Sequence, residues 1–138
     1  MASIQTQTAS FQAECWQAIH NLLTDTINIA LYTNVATLDA STTVYSSTNE
    51  ITGTGYVSGG QALAGALLST SAKGAYLSFN NASWTGTLTA RYALIYNASK
   101  ENRAVAVIDF GGDKTSVITF VVQMPPHTST TALLRSTT

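Results

Sequence analysis

Charged residues are scarce in this sequence. It has 6 Lys and Arg and 7 Asp and Glu among 138 residues, which is 9% of the chain, and a formal net charge of −1. A typical soluble domain has about 25% charged residues, and surface charge normally keeps monomers apart. We therefore expect much of this surface to contact other protein. Such a composition also supplies no clustered basic face, so direct binding of DNA or RNA is not expected.

Cysteine and long apolar runs are scarce as well. The one cysteine, Cys15, cannot form an internal disulfide. The sequence contains no run of 18 apolar residues, and its start, MASIQTQTAS, has no basic region followed by an apolar stretch. We expect neither a disulfide framework nor a secretion signal nor contact with a membrane.

Few residues could carry catalysis or bind a metal. His20 and His127 are the only imidazole bases, and no G-x-S-x-G motif accompanies them. Cys15 lies on the apolar side of the N-terminal helical pattern, which predicts that it packs in the core. These three residues lack the spacing of a metal site, and the Gly53–Gly60 stretch lacks the third glycine of a dinucleotide-binding loop. The sequence predicts a protein that is not an enzyme and holds no cofactor or metal.

Threonine and serine are abundant, with 36 between them. Threonine favours strands, because its β-branched side chain suits a pleated and half-solvated face. One segment, residues 10–23, has helical spacing, with Ser10 as the predicted N-cap and Trp16 beside the apolar stripe. From Thr26 onward apolar residues recur at period two.

The rest of the chain is predicted as strands over 26–124 followed by an extended tail over 125–138. The longest strand pattern covers 84–97, and 104–110 and 115–123 are predicted as an antiparallel hairpin joined at Gly111-Gly112-Asp113-Lys114. Residues 1–9 are predicted either as an arm that orders on contact with a partner or as an edge strand. The fold class is a single all-β domain, residues 1–138: an antiparallel sandwich with one short N-terminal helix.

A protein interface is the site that this composition favours. Arg91 is an isolated cation midway along the longest strand, opposite in phase to its apolar face, so it extends to water or pairs across an interface. Lys100 and Arg103 belong to the charged turns that flank strand 104–110, which form either a solvated sheet end or a docking patch. The candidate interface residues are Ile4, Thr6, Thr8, Tyr56, Arg91, Lys100 and Arg103.

Five blocks in order carry a resemblance to a known family. They are INIALY at 27–32, ATLDASTTV at 36–44, NEITGTGYVSGG at 49–60, RYALIYN at 91–97 and NRAVAVIDFGG at 102–112. On these blocks the chain resembles a family of small structural proteins of tailed bacteriophages, and most closely the cement, or decoration, proteins of the phage head. The segments up to Leu23 and after Pro125 lie outside the blocks.

The resemblance implies a jelly-roll sandwich that forms a homodimer on the outer surface of the capsid, where it bridges major capsid subunits. The family carries no catalytic residues to transfer. An alternative from another class is a head-fibre or tail component that binds a host receptor or glycan, with Trp84, Tyr92 or Tyr96 stacking on sugar rings. A small hydrolase is a further alternative, which would need His20 or His127 as its base.

Overall fold

A computed structural model describes residues 4–72 and 74–137 of the chain. The arm-or-strand prediction for residues 1–9 and the tail prediction for 125–138 therefore fall partly outside it, at residues 1–3 and 138. Within these two ranges there are one helix and ten strands: β1 Ile4–Gln7, α1 Ala9–Trp16, β2 Ile27–Tyr32, β3 Gln61–Ala62, β4 Leu67–Ser71, β5 Gly74–Ser78, β6 Ala82–Thr85, β7 Thr89–Asn97, β8 Arg103–Thr115, β9 Thr119–Val122 and β10 Leu134–Thr137.

The strands form two layers. One layer is a five-stranded antiparallel sheet in the order β1-β8-β7-β2-β3, and the other consists of a three-stranded sheet, β10-β5-β4, and a two-stranded sheet, β6-β9. The larger buried cluster includes residues of both layers, among them Ile29, Ile95 and Phe120, each 0% exposed. The prediction of an all-β antiparallel sandwich with one short N-terminal helix is confirmed.

A second buried cluster lies on the outer face of the five-stranded sheet. Its centre is formed by Leu94 and Val107, which are cross-strand partners in β7 and β8. Leu38 and Tyr45, from the long connection between β2 and β3, pack against this cluster. The first part of this connection, residues 36–45, therefore covers the outer face of the sheet, whereas Ile51 and Tyr56 from its second part pack in the larger cluster.

The helix differs from its predicted range of 10–23. It begins after the N-cap residue Thr8, whose hydroxyl accepts a hydrogen bond from the Phe11 N–H, and it ends at Trp16. Ala18 has a φ of 58°, its N–H donates to the Cys15 carbonyl, and the Ile19 N–H donates to the Glu14 carbonyl. This is a Schellman helix end, which usually has glycine in the left-handed position. Alanine stands there instead, so the sequence carries no visible stop signal.

Two strand predictions are wrong. Residues 84–97 are divided between β6 and β7 at Gly86, and these strands belong to different sheets. The segment 111–114 is not a turn, because β8 continues through it to Thr115 and pairs with the start of β7. β9 pairs with β6 rather than with β8. The predicted hairpin therefore does not exist, since its two strands lie in different layers.

The N-terminal residues form an edge strand as far as they are described. Ile4–Gln7 pair antiparallel with Asp109–Ala106 of β8. The Thr8 N–H then donates to the Val105 carbonyl. This pairing corresponds to the edge-strand interpretation of the segment and not to the arm.

Candidate protein-binding surface

The three cations predicted at an interface all form ion pairs within the chain. The closest nitrogen–oxygen distances are 2.8 Å for Arg91 with Asp109, 2.8 Å for Lys100 with Asp25, and 3.1 Å for Arg103 with Glu14. The hydrogen bond from Arg91 lowers the pKa of Asp109 and raises that of Arg91 itself, which keeps this pair charged. Of the two outcomes foreseen for Arg91, pairing takes place, but within the chain. The three cations are half-buried and engaged, so they contribute little free charge to the surface.

The four uncharged candidates divide into exposed and buried residues. Ile4 is 62% exposed on β1 and Thr6 is half-buried, so both are accessible from outside. Thr8 is 0% exposed because it caps α1, and Tyr56 is buried because its ring packs beside Trp84. Thr8 and Tyr56 therefore present almost no side-chain surface to a partner in the isolated chain.

Tyr56 instead helps to fix the connection that covers the outer face. Its hydroxyl donates to the Glu50 carboxylate at 2.5 Å and accepts from the Leu31 N–H at 2.9 Å. The same carboxylate accepts from the Tyr45 hydroxyl at 2.6 Å and from the Gly59 N–H at 2.7 Å. Burial, and then the bond to Glu50, raises the pKa of Tyr56, so its hydroxyl stays protonated and remains a donor.

His20 belongs to a buried polar chain that joins the N-terminal segment to the sheet. Its imidazole is fully buried; Nε2 lies 2.9 Å from Glu14 Oε1, and Nδ1 lies 2.9 Å from Asn97 Nδ2. Asn97 Nδ2 also donates to Asp25 at 2.8 Å. Burial raises the pKa of Asp25, but hydrogen bonds from Asn97, Lys100 and the Asn21 N–H outweigh it and lower the pKa to about 2. Both imidazole nitrogens are engaged, so His20 is not placed to act as a base on a substrate.

His127 has a comparable structural place. Its Nε2 lies 2.9 Å from the Ser69 hydroxyl and its Nδ1 lies 2.8 Å from the Ser78 hydroxyl, while its ring packs on Tyr76. The imidazole thus joins the tail to β4 and β5. Among the residues that the structure describes, histidine, cysteine, aspartate and glutamate do not gather in threes that could hold a metal ion.

An apolar groove of about 560 Å³ lies beside α1. Trp16 on its rim is 93% exposed, and Leu68 on its opposite side is 49% exposed. Arg135 is the one charged residue in its lining, which otherwise consists of Gln7, Phe11, Gln12, Cys15, Trp16, Leu22, Leu68, Ala75, Tyr76, Leu77, Leu134 and Ser136. We call this feature the α1 groove.

One sequence prediction is wrong at the α1 groove. Cys15 is exposed and not a core residue, and Trp16, predicted beside the apolar stripe, lies at the surface. The helix turns only Phe11 inward, because it ends before Ile19 and Leu22 can extend its apolar stripe. Partial burial of the sulfur, together with the Glu14 charge, raises the pKa of Cys15, so the thiol is protonated at neutral pH.

The two ends of the chain meet around this groove. The Gln7 side-chain amide donates to the Arg135 carbonyl at 2.7 Å, and the Gln5 amide donates to the Thr131 carbonyl at 3.2 Å. The two ends therefore lie side by side, although more than 120 positions separate them in the chain. Sequence spacing carries no signal for such a site, since its walls come from both ends of the chain and from β4 and β5.

The aromatic residues proposed to stack on sugar rings are mostly inaccessible. Trp84 is 6% exposed and Tyr96 is 3% exposed, so neither can present a ring face to a ligand. Tyr92 is half-buried, and the guanidinium carbon of Arg91 lies 5.2 Å from the centroid of the Tyr92 ring. The glycan-stacking prediction is therefore wrong for Trp84 and Tyr96.

Comparison with protein-family models, curated proteins and solved structures finds no match for this chain. The eight-residue α1, the one helix in the described part of the chain, is far shorter than a membrane-spanning helix.

Proposed function

We propose that this protein is a structural, non-enzymatic subunit of a tailed-bacteriophage virion: a cement protein that binds the outside of the head and bridges neighbouring major capsid subunits. The five blocks that carry the resemblance correspond to β2, β7, most of β8 and much of the connection over them. They thus make up the middle of the five-stranded sheet and its cover, which is what proteins with a common scaffold would share.

The observation that carries the proposal is the composition of the α1 groove. Phe11, Trp16 and Leu22 come from the N-terminal segment outside the blocks, and Leu134 and Arg135 come from the C-terminal segment outside them. Segments outside the resembling blocks are where we expect recognition of a particular capsid to lie. The groove is apolar and carries one charge, so we propose that an apolar side chain of the major capsid protein occupies it.

Trp16 is the natural anchor of this contact. Tryptophan is the residue most often found to dominate the binding energy of interfaces, because one rigid side chain buries a large area. An indole that is 93% exposed in the isolated chain has nearly all of this area left to bury. Binding only to the assembled shell would stabilise it by mass action, and many copies per shell would add avidity.

The proposal is tested by reconstitution on purified heads of the phage that encodes the chain, after removal of the bound protein. We expect the unmodified protein to coat the heads and Trp16→Ala to bind at least about tenfold more weakly. Ile118→Ala is the matched control, because Ile118 is 73% exposed and lies outside the groove. Both variants should melt as the unmodified protein does, since neither side chain is buried. Heads that stay uncoated by the unmodified protein would reject the proposal.

A density map of the intact particle separates the proposal from its alternative. A cement protein covers the shell in many copies, whereas a receptor-binding component occupies few positions on a fibre or the tail. Density for this chain at fibre or tail positions alone would favour the alternative.

A further inference from the structure

Side chains of several strands are bonded to neighbouring segments of the chain. The amides of Gln5 and Gln7 join the β1 edge to the C-terminal segment, and the Gln61 amide on β3 donates to the Ser83 carbonyl on β6 at 2.7 Å. The Lys114 ammonium donates to the Val121 carbonyl on β9 at 2.5 Å. Holding an edge strand against another segment of the chain is one way to protect that edge from pairing with another chain.

On β4 the Ser69 hydroxyl is bonded to His127, but this link involves a side chain and leaves the backbone groups of the outer edge open. Within 4–72 and 74–137, β5 is the only strand that pairs with β4, and no described side chain donates to or accepts from a backbone group of Leu67–Ser71. Residues 61–72 contain no charged residue and no proline. Leu67 is 53% exposed and Leu68 is 49% exposed, so the edge is apolar as well as open.

The register of the β4–β5 hairpin shows which backbone groups are free. Ser71 pairs with Gly74 as the closing pair of the hairpin, and the pairs continue to Leu67 with Ser78. In a hairpin with a two-residue loop the closing pair exchanges hydrogen bonds, and every second pair after it does so as well. The N–H and C=O groups of Leu68 and Thr70 therefore point away from β5, towards the open edge.

We propose that β4 pairs with β4 of a second copy, antiparallel about a two-fold axis at Ser69. Leu68 of each copy then lies opposite Thr70 of the other, and the four outward groups per copy form four hydrogen bonds between the copies. The two three-stranded sheets become one six-stranded sheet. An uncharged edge can meet the same edge of an identical copy without charge repulsion.

This inference rests on the proposed function and gives it a geometry. Leu68 lines the α1 groove, so the groove lies close to the β4 edge. A two-fold dimer joined at that edge presents two α1 grooves, one from each copy. Each groove would take an apolar side chain from a different capsid subunit, and this arrangement is what lets one dimer bridge two subunits.

The first experiment measures the mass of the purified full-length chain by light scattering and sedimentation equilibrium. We expect a dimer for the unmodified protein and a monomer for Thr70→Pro, because proline removes an outward N–H yet is tolerated in an edge strand whose N–H faces solvent. Thr70→Val is the matched control: it keeps the N–H and should remain a dimer. A monomeric unmodified protein at high micromolar concentration, or a folded dimeric Thr70→Pro, would overturn the inference.

The second experiment does not depend on how well proline is tolerated. In a Cys15→Ser background, Ser69→Cys should form a disulfide between copies under mild oxidation, because facing residues of a non-hydrogen-bonded pair have Cα atoms about 4.5 Å apart, within disulfide range. Ser71→Cys is the control, since its counterpart would lie roughly 14 Å away, four residues along the strand. Equal cross-linking of the two variants would overturn the proposed register.

The solution measurements and the decoration assay test the interface and the proposed function separately. A dimer through β4 that does not coat heads would reject the proposed function and keep the interface. A protein that coats heads but stays monomeric in solution and does not cross-link at Ser69→Cys would reject the interface alone.

Discussion

The two faces of the five-stranded sheet are both buried, but by different means. The inner face, with Ile29 and Ile95, meets the apolar side chains of the second layer. The outer face, with Leu94 and Tyr96, is covered by residues 36–45 of the connection 33–60, which has only isolated bridges to strands. Tyr45 stacks on Tyr96 there, with ring centroids 4.6 Å apart.

The difference shows what a covering segment needs when it is not a sheet. Two opposed sheets are held by apolar burial, which is roughly proportional to area and has no direction. An irregular connection must also satisfy its own backbone groups, and it must be held in one conformation against its entropy. The Glu50 carboxylate serves this purpose because hydroxyl and N–H groups from distant points of the connection converge on it. We therefore expect the outer face to depend more on directional polar contacts than the inner face does.

The largest expected effect should be similar on both faces. Leu94→Ala on the outer face and Ile95→Ala on the inner face should each lower the free energy of unfolding by about 2–4 kcal/mol, since both side chains are 0% exposed and each deletion leaves a cavity. Val107→Ala, opposite Leu94, should also cost about 2–4 kcal/mol, and the pair should not be additive. Urea titration measures all three. A loss below about 0.5 kcal/mol at Leu94 would mean that the connection does not cover the sheet.

The second effect should separate the faces. Glu50→Gln should lower the free energy of unfolding by about 2–3 kcal/mol. The amide would present its own N–H group to hydroxyl and N–H donors whose hydrogen bonds the carboxylate accepts. Ser58→Ala removes one exposed donor to the same carboxylate and should cost less than about 0.5 kcal/mol. Equilibrium unfolding gives both values, and hydrogen exchange should show increased opening of 33–60 only in Glu50→Gln. Equal costs for the two variants would mean that the carboxylate is not the organising group.

A third, smaller effect appears with pH at the end of the sheet. The folded-state pKa of Asp25 is about 2, whereas that of an exposed aspartate is roughly 3.9. A lowered pKa stabilises the fold above the unfolded value, and this contribution is lost as the pH falls from about 4 to about 2. We expect the urea midpoint of the unmodified protein to fall over this range, and that of Asp25→Asn to fall less. An identical decline in both proteins would assign the acid sensitivity to other carboxylates.

The smallest effect should leave both faces unchanged. Ala18→Gly should stabilise the protein by about 0.5–1 kcal/mol, because glycine adopts the left-handed conformation at a helix end without strain. Ala13→Gly, within the same helix and exposed, should instead destabilise by roughly 1 kcal/mol. Thermal unfolding of the two variants checks the opposite signs. A destabilising Ala18→Gly would mean that the helix does not end at Trp16.

Particular elements show where sequence reasoning succeeds and where it does not. The strand at 27–32 is marked by alternation alone, and Leu94 and Val107 are buried as the strand patterns require. The predicted hairpin of 104–110 with 115–123 is wrong because alternation identifies strands but does not show which strands pair. The predicted end of the helix is wrong because Ala18 adopts a left-handed conformation that is usual for glycine. Thr8 and Tyr56 are buried because each satisfies a buried backbone group, a need that becomes visible only when distant segments meet.

By itself, the sequence determined that this is an all-β sandwich with few surface charges. Period-two burial and β-branched composition are local properties, and they are the same whichever sheet the strand belongs to. Only the tertiary structure decided that β8 and β9 lie in different layers. It also decided that Trp16 faces outward at a groove whose lining includes residues from both chain ends, and that the outer edge of β4 is open. Each of these depends on which surfaces are already paired, and pairing between segments far apart in the chain leaves no trace in local spacing.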